Sequence, residues 1–137
     1  MPKELKQISF TLELPKHLVV SLNAIYSGAH WHKRHEIKEG YKALTRVLFK
    51  RLAEKFGEFN APCAISFIFA GTRIHDCDNH VYMGKMIQDC LVSAGILKGD
   101  KAQYVRSVSY EKQAQKSKMA CVLVTIKECE QSWQKRI

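Results

Sequence analysis

The first part of the chain contains three stretches whose apolar positions predict regular structure. In residues 6–15, apolar and polar residues alternate and a proline ends the run, which predicts a half-buried strand. Residues 36–56 repeat apolar side chains at helical spacing and predict an amphipathic helix. Residues 63–71, CAISFIFAG, form a nearly continuous apolar run that is typical of a central strand. The apolar positions of the alternating stretch are Ile8, Phe10, Leu12 and Leu14.

The second part of the chain predicts a further helix and two strands. Residues 79–94 predict the helix, and Gly95 is placed to end it. Residues 103–112 and 118–127 alternate again, and the polar QAQKS between them suits the turn of a hairpin. Residues 16–35 read as irregular. The order is therefore β-α-β-α-β-β, which predicts one α+β domain with two helices packed on a mixed sheet.

The length and composition agree with a single globular domain. A chain of 137 residues buries a sufficient core without disulfides or metal ions. We expect this core to span about residues 6–128, followed by a C-terminal tail at 129–137. No apolar stretch is long enough to span a membrane, and the first residues lack the apolar segment of a signal peptide. The five cysteines form no C-x-x-C pair, so we expect reduced thiols and a cytoplasmic location.

The net charge changes the picture because it indicates a class of partner. Twenty-two Lys and Arg against thirteen Asp and Glu give a formal charge of +9, and the sequence pI is about 9.4. A small domain with this charge attracts polyanions, of which nucleic acid is the commonest. Charge alone does not separate a nucleic-acid-binding protein from a soluble basic protein of another kind.

Two closely spaced carboxylates stand out in the stretch TRIHDCDNHVYMGK, residues 72–85. In an extended segment Asp76 and Asp78 point to the same side, where they repel each other unless a cation lies between them. Mg²⁺ takes such oxygen ligands together with substrate phosphate. The alternative is that Asp78 or Asn79 caps the second helix and that Asp76 is solvated. We expect His75 and His80, which flank the acids, to lie in solvent or on the substrate side.

A charged row follows on the second helix. If the helix begins near Asp78, Lys85 and Asp89 return to the same helical face, and they also form an i,i+4 pair. The remaining residues of this helix are mostly apolar or small. Asp100 lies in the loop before the third strand, and this loop comes close to the end of the second strand if the two strands are neighbours. Three carboxylates and one lysine are therefore expected to converge on a cation and a phosphate.

These motifs together resemble one enzyme family. The residues that carry the resemblance are DCDN at 76–79, Lys85, Asp89, SAG ending at Gly95, GDKAQ around Asp100, EGY at 39–41, and Ser21, Asn23 and Tyr26 in the pattern S-x-N-x-x-Y. They are similar to the RusA-type Holliday junction resolvases over most of the chain, from about residue 6 to 128.

The resemblance implies a homodimeric endodeoxyribonuclease that depends on Mg²⁺, with Mn²⁺ as an expected substitute. Such enzymes bind four-way DNA junctions and resolve them by paired symmetric nicks during recombination and repair. Asp76, Asp78 and Asp100 correspond to the acidic catalytic residues and metal ligands, and Lys85 to the catalytic lysine. Asp89 is expected to orient Lys85 or to complete a second shell around the metal.

A further group of residues is expected to contact branched DNA. An irregular stretch mixes aromatic and basic residues. A basic stripe follows it on the first helix, made of Lys38, Lys42, Arg46 and Lys50. The alternatives are aromatic side chains packed on the core, a solvated helix face, and a zinc site at His30, His32 and His35. The predicted DNA-binding residues are Asn23, Tyr26, His32, Lys33, Arg34, Lys38, Lys42 and Arg46, and Trp31 belongs to the same stretch.

Two other functions stay open on the sequence. One is a non-catalytic basic DNA-binding protein with the same fold. It has no reason to keep three acids near a phosphate-binding surface, because the acids repel DNA. The other is an interaction module whose basic face binds an acidic protein, which predicts no preference for branched DNA over duplex DNA.

Overall fold

The computed structural model describes residues 4–20, 31–60, 62–71, 80–113 and 119–130. These residues form a four-stranded mixed sheet with two α-helices, in the order β-α-β-α-β-β, and confirm the predicted α+β class. A 3-10 turn at Lys16–Leu18 follows the first strand. The elements are β1 Gln7–Glu13, α1 Trp31–Phe56, β2 Cys63–Ala70, α2 Val81–Ser93, β3 Val105–Lys112 and β4 Cys121–Glu128.

The strand order in the sheet is β1-β4-β2-β3. Strand β4 runs antiparallel to both β1 and β2, and β3 runs parallel to β2. The predicted hairpin between β3 and β4 is therefore wrong. The inward side chains of β4, Val122, Val124 and Ile126, are 0% exposed, which agrees with its central place in the sheet. Strand β3 is largely exposed and takes the edge.

The core lies between one face of the sheet and the two helices. Alternate residues of the strands point to the helices. Phe10 is an example, because its ring packs edge-on with the ring of Phe49 and the two centroids are 5.3 Å apart. Tyr41 is fully buried, and its hydroxyl donates a 2.7 Å hydrogen bond to the Leu18 carbonyl. A Cβ on Gly40 would lie 2.6 Å from Leu18 Cδ2, so the glycine allows the 3-10 turn to seat against α1.

The first helix begins earlier than the apolar pattern predicts. Residues 31–35 were expected to be irregular, but α1 starts at Trp31. The first six residues of α1 are all exposed, so no buried side chain marks this turn in the sequence. The end of α2 agrees with the prediction, since Gly95 has a φ of +81° just after the last helical turn.

A buried carboxylate joins three parts of the fold. Glu128 on β4 is 3% exposed, and its oxygens accept hydrogen bonds from the backbone N–H of Lys6 at 2.8 Å and of Asn60 at 2.6 Å. The Lys6 ammonium in turn donates to the Phe56 carbonyl at the end of α1. We call these hydrogen bonds of Glu128 and Lys6 the Glu128 clamp. The clamp fixes the start of β1 and the α1–β2 connection to β4.

Two further findings concern the thiols and the helices. The four cysteines in the described part of the chain, Cys63, Cys90, Cys121 and Cys129, form no disulfide with one another. Within the described ranges, neither helix combines the length and the apolarity needed to cross a bilayer.

Candidate functional site

The structure places Lys85 between two carboxylates. Lys85 lies on the second turn of α2, and its ammonium is 2.6 Å from Asp100 Oδ2 and 3.1 Å from Asp89 Oδ1. Asp89 is one helical turn further along α2, and Asp100 belongs to the loop between α2 and β3. The shared helical face of Lys85 and Asp89 is therefore confirmed. The structure also brings Asp100 to the same lysine.

The path of the α2–β3 loop explains how Asp100 reaches α2. Strands β2 and β3 are parallel neighbours, and Cys63 pairs with Val105 at the start of both strands. Ile96 lies at the same end of the domain, because its carbonyl accepts a hydrogen bond from the Phe59 N–H at 2.8 Å. The α2–β3 loop starts at this end of the domain, and Asp100 within it meets the Lys85 ammonium.

The two partners reinforce each other's charged forms. The hydrogen bond from Lys85 holds the pKa of Asp100 below its ordinary value of 3.8. The same bond, supported by Asp89, raises the pKa of Lys85 above 10.5, although partial burial opposes the rise. The Lys85, Asp89 and Asp100 side chains are 46%, 36% and 48% exposed, so the ion pairs contribute little to stability. Their main effect is to hold an ammonium in one place at the surface.

The cluster supplies only part of a site for a hard divalent cation, because both of its carboxylates face the Lys85 ammonium. Asp89 and Asp100 direct carboxylate oxygens at one positive group, and one or two carboxylates with substrate phosphates make a typical Mg²⁺ site. Within the described ranges, no group of three or more His, Cys, Asp or Glu side chains comes together in a way that could hold a metal ion. Asp76 and Asp78, the two other predicted ligands, lie outside the described residues.

The predicted basic stripe of α1 runs beside α2. Burial raises the pKa of Tyr82 on α2, Arg34 opposes this rise, and Asp89 adds to it. Burial likewise raises the pKa of the Cys90 thiol, and among the opposing influences are Lys42 and Lys38. The cations of α1 are thus close enough to act on the residues around Asp89. Six of the predicted DNA-binding residues are described and exposed on α1: His32, Lys33, Arg34, Lys38, Lys42 and Arg46.

An open groove separates α1 from the last turns of α2. It has a volume of about 600 Å³, and Lys42, Arg46 and Lys50 line its α1 side. Phe49 contributes to its apolar floor, and Cys90 is among the residues of α2 that line it. The sequence did not predict this groove, because it depends on how far apart the two helices pack.

The aromatic residues at the start of α1 do not pack on the core. Trp31 is 64% exposed, and its ring stacks on His35 with centroids 5.3 Å apart and an interplanar angle of 9°. The His32 ring meets Trp31 edge-on at 5.0 Å. The alternative that the Trp31 ring packs on the core is thus wrong. Asn23 and Tyr26, and His30 of the zinc alternative, lie outside the described residues.

One histidine beside the acidic motif lies elsewhere than expected. His80 is 3% exposed and stacks on Phe69 with ring centroids 4.2 Å apart. The prediction that His80 lies in solvent or on the substrate side is therefore wrong. Its position directly before α2 lets the ring close the end of the core. His75, Asn79 and Ser21 lie outside the described residues.

Comparison with known proteins leaves the family of the chain as a prediction. A scan against models of protein families finds no match. A search among curated proteins also finds no significant similarity.

Proposed function

We propose that the protein is a Mg²⁺-dependent, structure-selective endodeoxyribonuclease that resolves Holliday junctions by paired symmetric nicks in DNA recombination and repair. The observation that carries the proposal is the Lys85 ammonium held by Asp89 and Asp100 beside an exposed basic helix face. The sequence motifs that resemble the RusA-type resolvases support the same function.

Substrate binding is assigned to the start and the exposed face of α1. Lys38, Lys42 and Arg46 contact phosphates, which positions branched DNA without reading its sequence. The exposed Trp31 ring offers a surface on which an unpaired base at the branch point stacks. Binding through these residues is expected to weaken steeply with salt.

The chemistry is assigned to the cluster on α2 and to the acidic motif before it. Asp76, Asp78 and Asp100 would hold Mg²⁺, which when bound polarises the phosphoryl oxygen and lowers the pKa of a water molecule. Because its pKa is raised, Lys85 stays protonated and presents its positive charge to the phosphate during strand cleavage. Asp89 keeps the ammonium in position through the 3.1 Å ion pair.

The experiment is cleavage of a synthetic four-way junction in the presence of Mg²⁺, with a linear duplex of matched sequence beside it. The chain is compared with Lys85→Met, Asp78→Asn and the control Lys16→Met, which removes an exposed lysine outside the cluster. We expect paired nicks on the junction and a loss of about 100-fold or more in rate for the first two variants. Junction binding, measured without Mg²⁺, is expected to persist in all variants.

Other results would assign a different function to the protein. Tight junction binding without cleavage by the wild-type chain would leave the non-catalytic DNA-binding protein. Cleavage that Lys85→Met does not slow would remove Lys85 from the chemistry. Equal binding of junction and duplex would reject the resolvase and leave the interaction module with an acidic partner.

A further inference from the structure

A tyrosine reaches from the sheet to α2 at the position directly before Lys85. Tyr110 lies on β3 opposite Phe67 of β2, and the two rings stack with centroids 5.4 Å apart. Because Phe67 is fully buried in the core, this register places Tyr110 on the face of the sheet that packs against the helices. The Tyr110 side chain therefore extends from the edge strand towards α2.

The hydroxyl end of the Tyr110 ring meets the helix. A Cβ built on Gly84 would lie 2.5 Å from Tyr110 Cε1, 2.9 Å from the hydroxyl oxygen and 3.1 Å from Cζ. A side chain at position 84 would therefore displace the phenol group. The glycine lets the hydroxyl lie against the backbone of α2, one residue before Lys85.

The Lys85 ammonium is near enough to act on this hydroxyl. Burial raises the pKa of Tyr110 above its ordinary value of 10.0, and the positive charge of Lys85 opposes the rise. The hydroxyl therefore keeps its proton at neutral pH and can donate a hydrogen bond. A neutral donor beside an ammonium suits a negatively charged oxygen as its acceptor.

Tyr110 also lies near the edge of the sheet that the acidic motif follows. Strands β2 and β3 are parallel and end together, and the Gln113 N–H donates a 2.8 Å hydrogen bond to the Phe69 carbonyl there. His80, directly before α2, stacks on the same Phe69. The acidic motif at 76–79 lies between Phe69 and His80 in the sequence. Ligands of parallel sheets commonly bind beyond the carboxyl ends of the strands.

The packing of the ring does not account for the hydroxyl. A phenylalanine at position 110 would keep the stack on Phe67. No other described residue hydrogen-bonds the Tyr110 hydroxyl, whereas the buried Tyr41 hydroxyl donates to the Leu18 carbonyl. Tyr110 is half-buried, so a molecule bound at the surface can reach its hydroxyl.

We propose that the Tyr110 hydroxyl donates a hydrogen bond to a non-bridging oxygen of the phosphate that is cleaved, beside the Lys85 ammonium. Tyr110 is then a further catalytic residue, because it touches the reacting group. The hydrogen bond strengthens as negative charge builds on this oxygen, so it speeds the chemical step more than it tightens binding. The inference rests on the proposed function and adds a residue that the sequence motifs do not include.

The test compares junction cleavage by the wild-type chain and by Tyr110→Phe, which removes the hydroxyl and keeps the ring. Tyr104→Phe is the matched control, because Tyr104 is a half-buried tyrosine before the opposite end of β3 and its ring meets Gly99. At saturating enzyme, we expect Tyr110→Phe to cleave about 10-fold more slowly and Tyr104→Phe to stay within about twofold of the wild type. Junction dissociation constants without Mg²⁺ are expected to change by less than about twofold in both variants.

Sulfur substitution at the cleaved phosphate identifies the oxygen that accepts the hydrogen bond. Sulfur is a weak acceptor, so the hydroxyl contributes little once sulfur replaces its partner. We expect the defect of Tyr110→Phe to shrink to about 3-fold or less on one phosphorothioate diastereomer and to persist on the other. A purely structural role of the tyrosine would slow cleavage of all three phosphates equally.

The results that would overturn this role of Tyr110 differ from those that reject the nuclease. Equal cleavage by wild type and Tyr110→Phe, or an equal defect on all three phosphates, would remove the hydroxyl from the chemistry. A Tyr110→Phe chain that circular dichroism shows to be unfolded, or equal slowing by Tyr104→Phe, would make the hydroxyl structural. These results leave the nuclease standing, whereas no cleavage by the wild-type chain would reject the proposed function and this inference together.

Discussion

The contact between Gly84 and Tyr110 seats α2 on the sheet, directly before Lys85, and can be tested by one added methyl group. A Cβ on Gly84 would lie 2.5 Å from the Tyr110 ring, so Gly84→Ala forces the ring or the helix to move. The ring is not free to swing away, because it stacks on Phe67 with centroids 5.4 Å apart and an interplanar angle of 9°.

Two opposing effects set the size of the change. Alanine in place of glycine inside a helix gains about 1 kcal/mol. Overpacking a well-packed core costs about 1–3 kcal/mol, and a disturbed aromatic stack costs about 0.5–1.5 kcal/mol. We expect the packing cost to win and Gly84→Ala to lose about 1–2 kcal/mol of unfolding free energy, with a melting temperature lower by about 3–6 °C.

The assay is urea unfolding of four proteins: wild type, Gly84→Ala, Tyr110→Ala and the double variant. In the Tyr110→Ala background the added methyl group has room, so the same glycine change is expected to stabilise by about 0.5–1 kcal/mol. The sign of the effect therefore reverses between the two backgrounds. Junction cleavage by Gly84→Ala is expected to fall as well, because the shift moves Lys85 relative to Asp100.

One result would refute the reasoning about this contact. If Gly84→Ala stabilises the wild-type chain as much as it stabilises the Tyr110→Ala background, the tyrosine ring does not occupy the space above Gly84. The position of α2 would then depend on its other contacts with the core.

Three further predictions concern buried hydrogen bonds and the lysine cluster. Glu128→Ala leaves two backbone N–H groups without their acceptor and is expected to cost about 2–4 kcal/mol in urea unfolding, whereas a loss under about 0.5 kcal/mol would contradict the clamp. Tyr41→Phe removes the donor to the Leu18 carbonyl and is expected to cost about 1–2 kcal/mol by the same measurement; an unchanged stability would mean that water replaces the hydroxyl. Asp100→Asn removes the main cause of the raised Lys85 pKa, so NMR titration is expected to show this pKa falling towards 10.5, and an unchanged value would point to Asp89 as the dominant partner.

The linkage of the Lys85–Asp100 pair to pH follows from the directions of the two shifts. Because the pKa of Asp100 is lowered in the folded protein, its contribution to folding stability is complete above pH 3.8. This contribution is lost as the pH falls through the lower, folded-state pKa. Because the pKa of Lys85 is raised in the folded protein, its contribution to folding stability is complete below pH 10.5. This contribution is lost as the pH rises through the higher, folded-state pKa. Between these limits the pair is expected to leave cleavage independent of pH.

Local features of this protein could be read from the sequence because they depend on residues close together in the chain. The period of apolar residues identified both α-helices and all four strands of the described part of the chain, and Gly95 marked the end of α2. The Lys85–Asp89 pair follows from helical geometry alone, since residues four apart share a face. The start of α1 was missed because its first turn is exposed and carries no buried side chain to set the period.

The remaining features depend on which surfaces compete for burial across the whole chain. Strand β4 pairs with β1 and β2 rather than with β3, its neighbour in sequence, and its inward side chains are fully buried in this central place. The α2–β3 loop carries Asp100 to Lys85, a contact that spans fifteen positions in the chain. Local patterns therefore determined the elements and the candidate lysine, and only tertiary packing decided their neighbours, because burial is shared among residues distant in sequence.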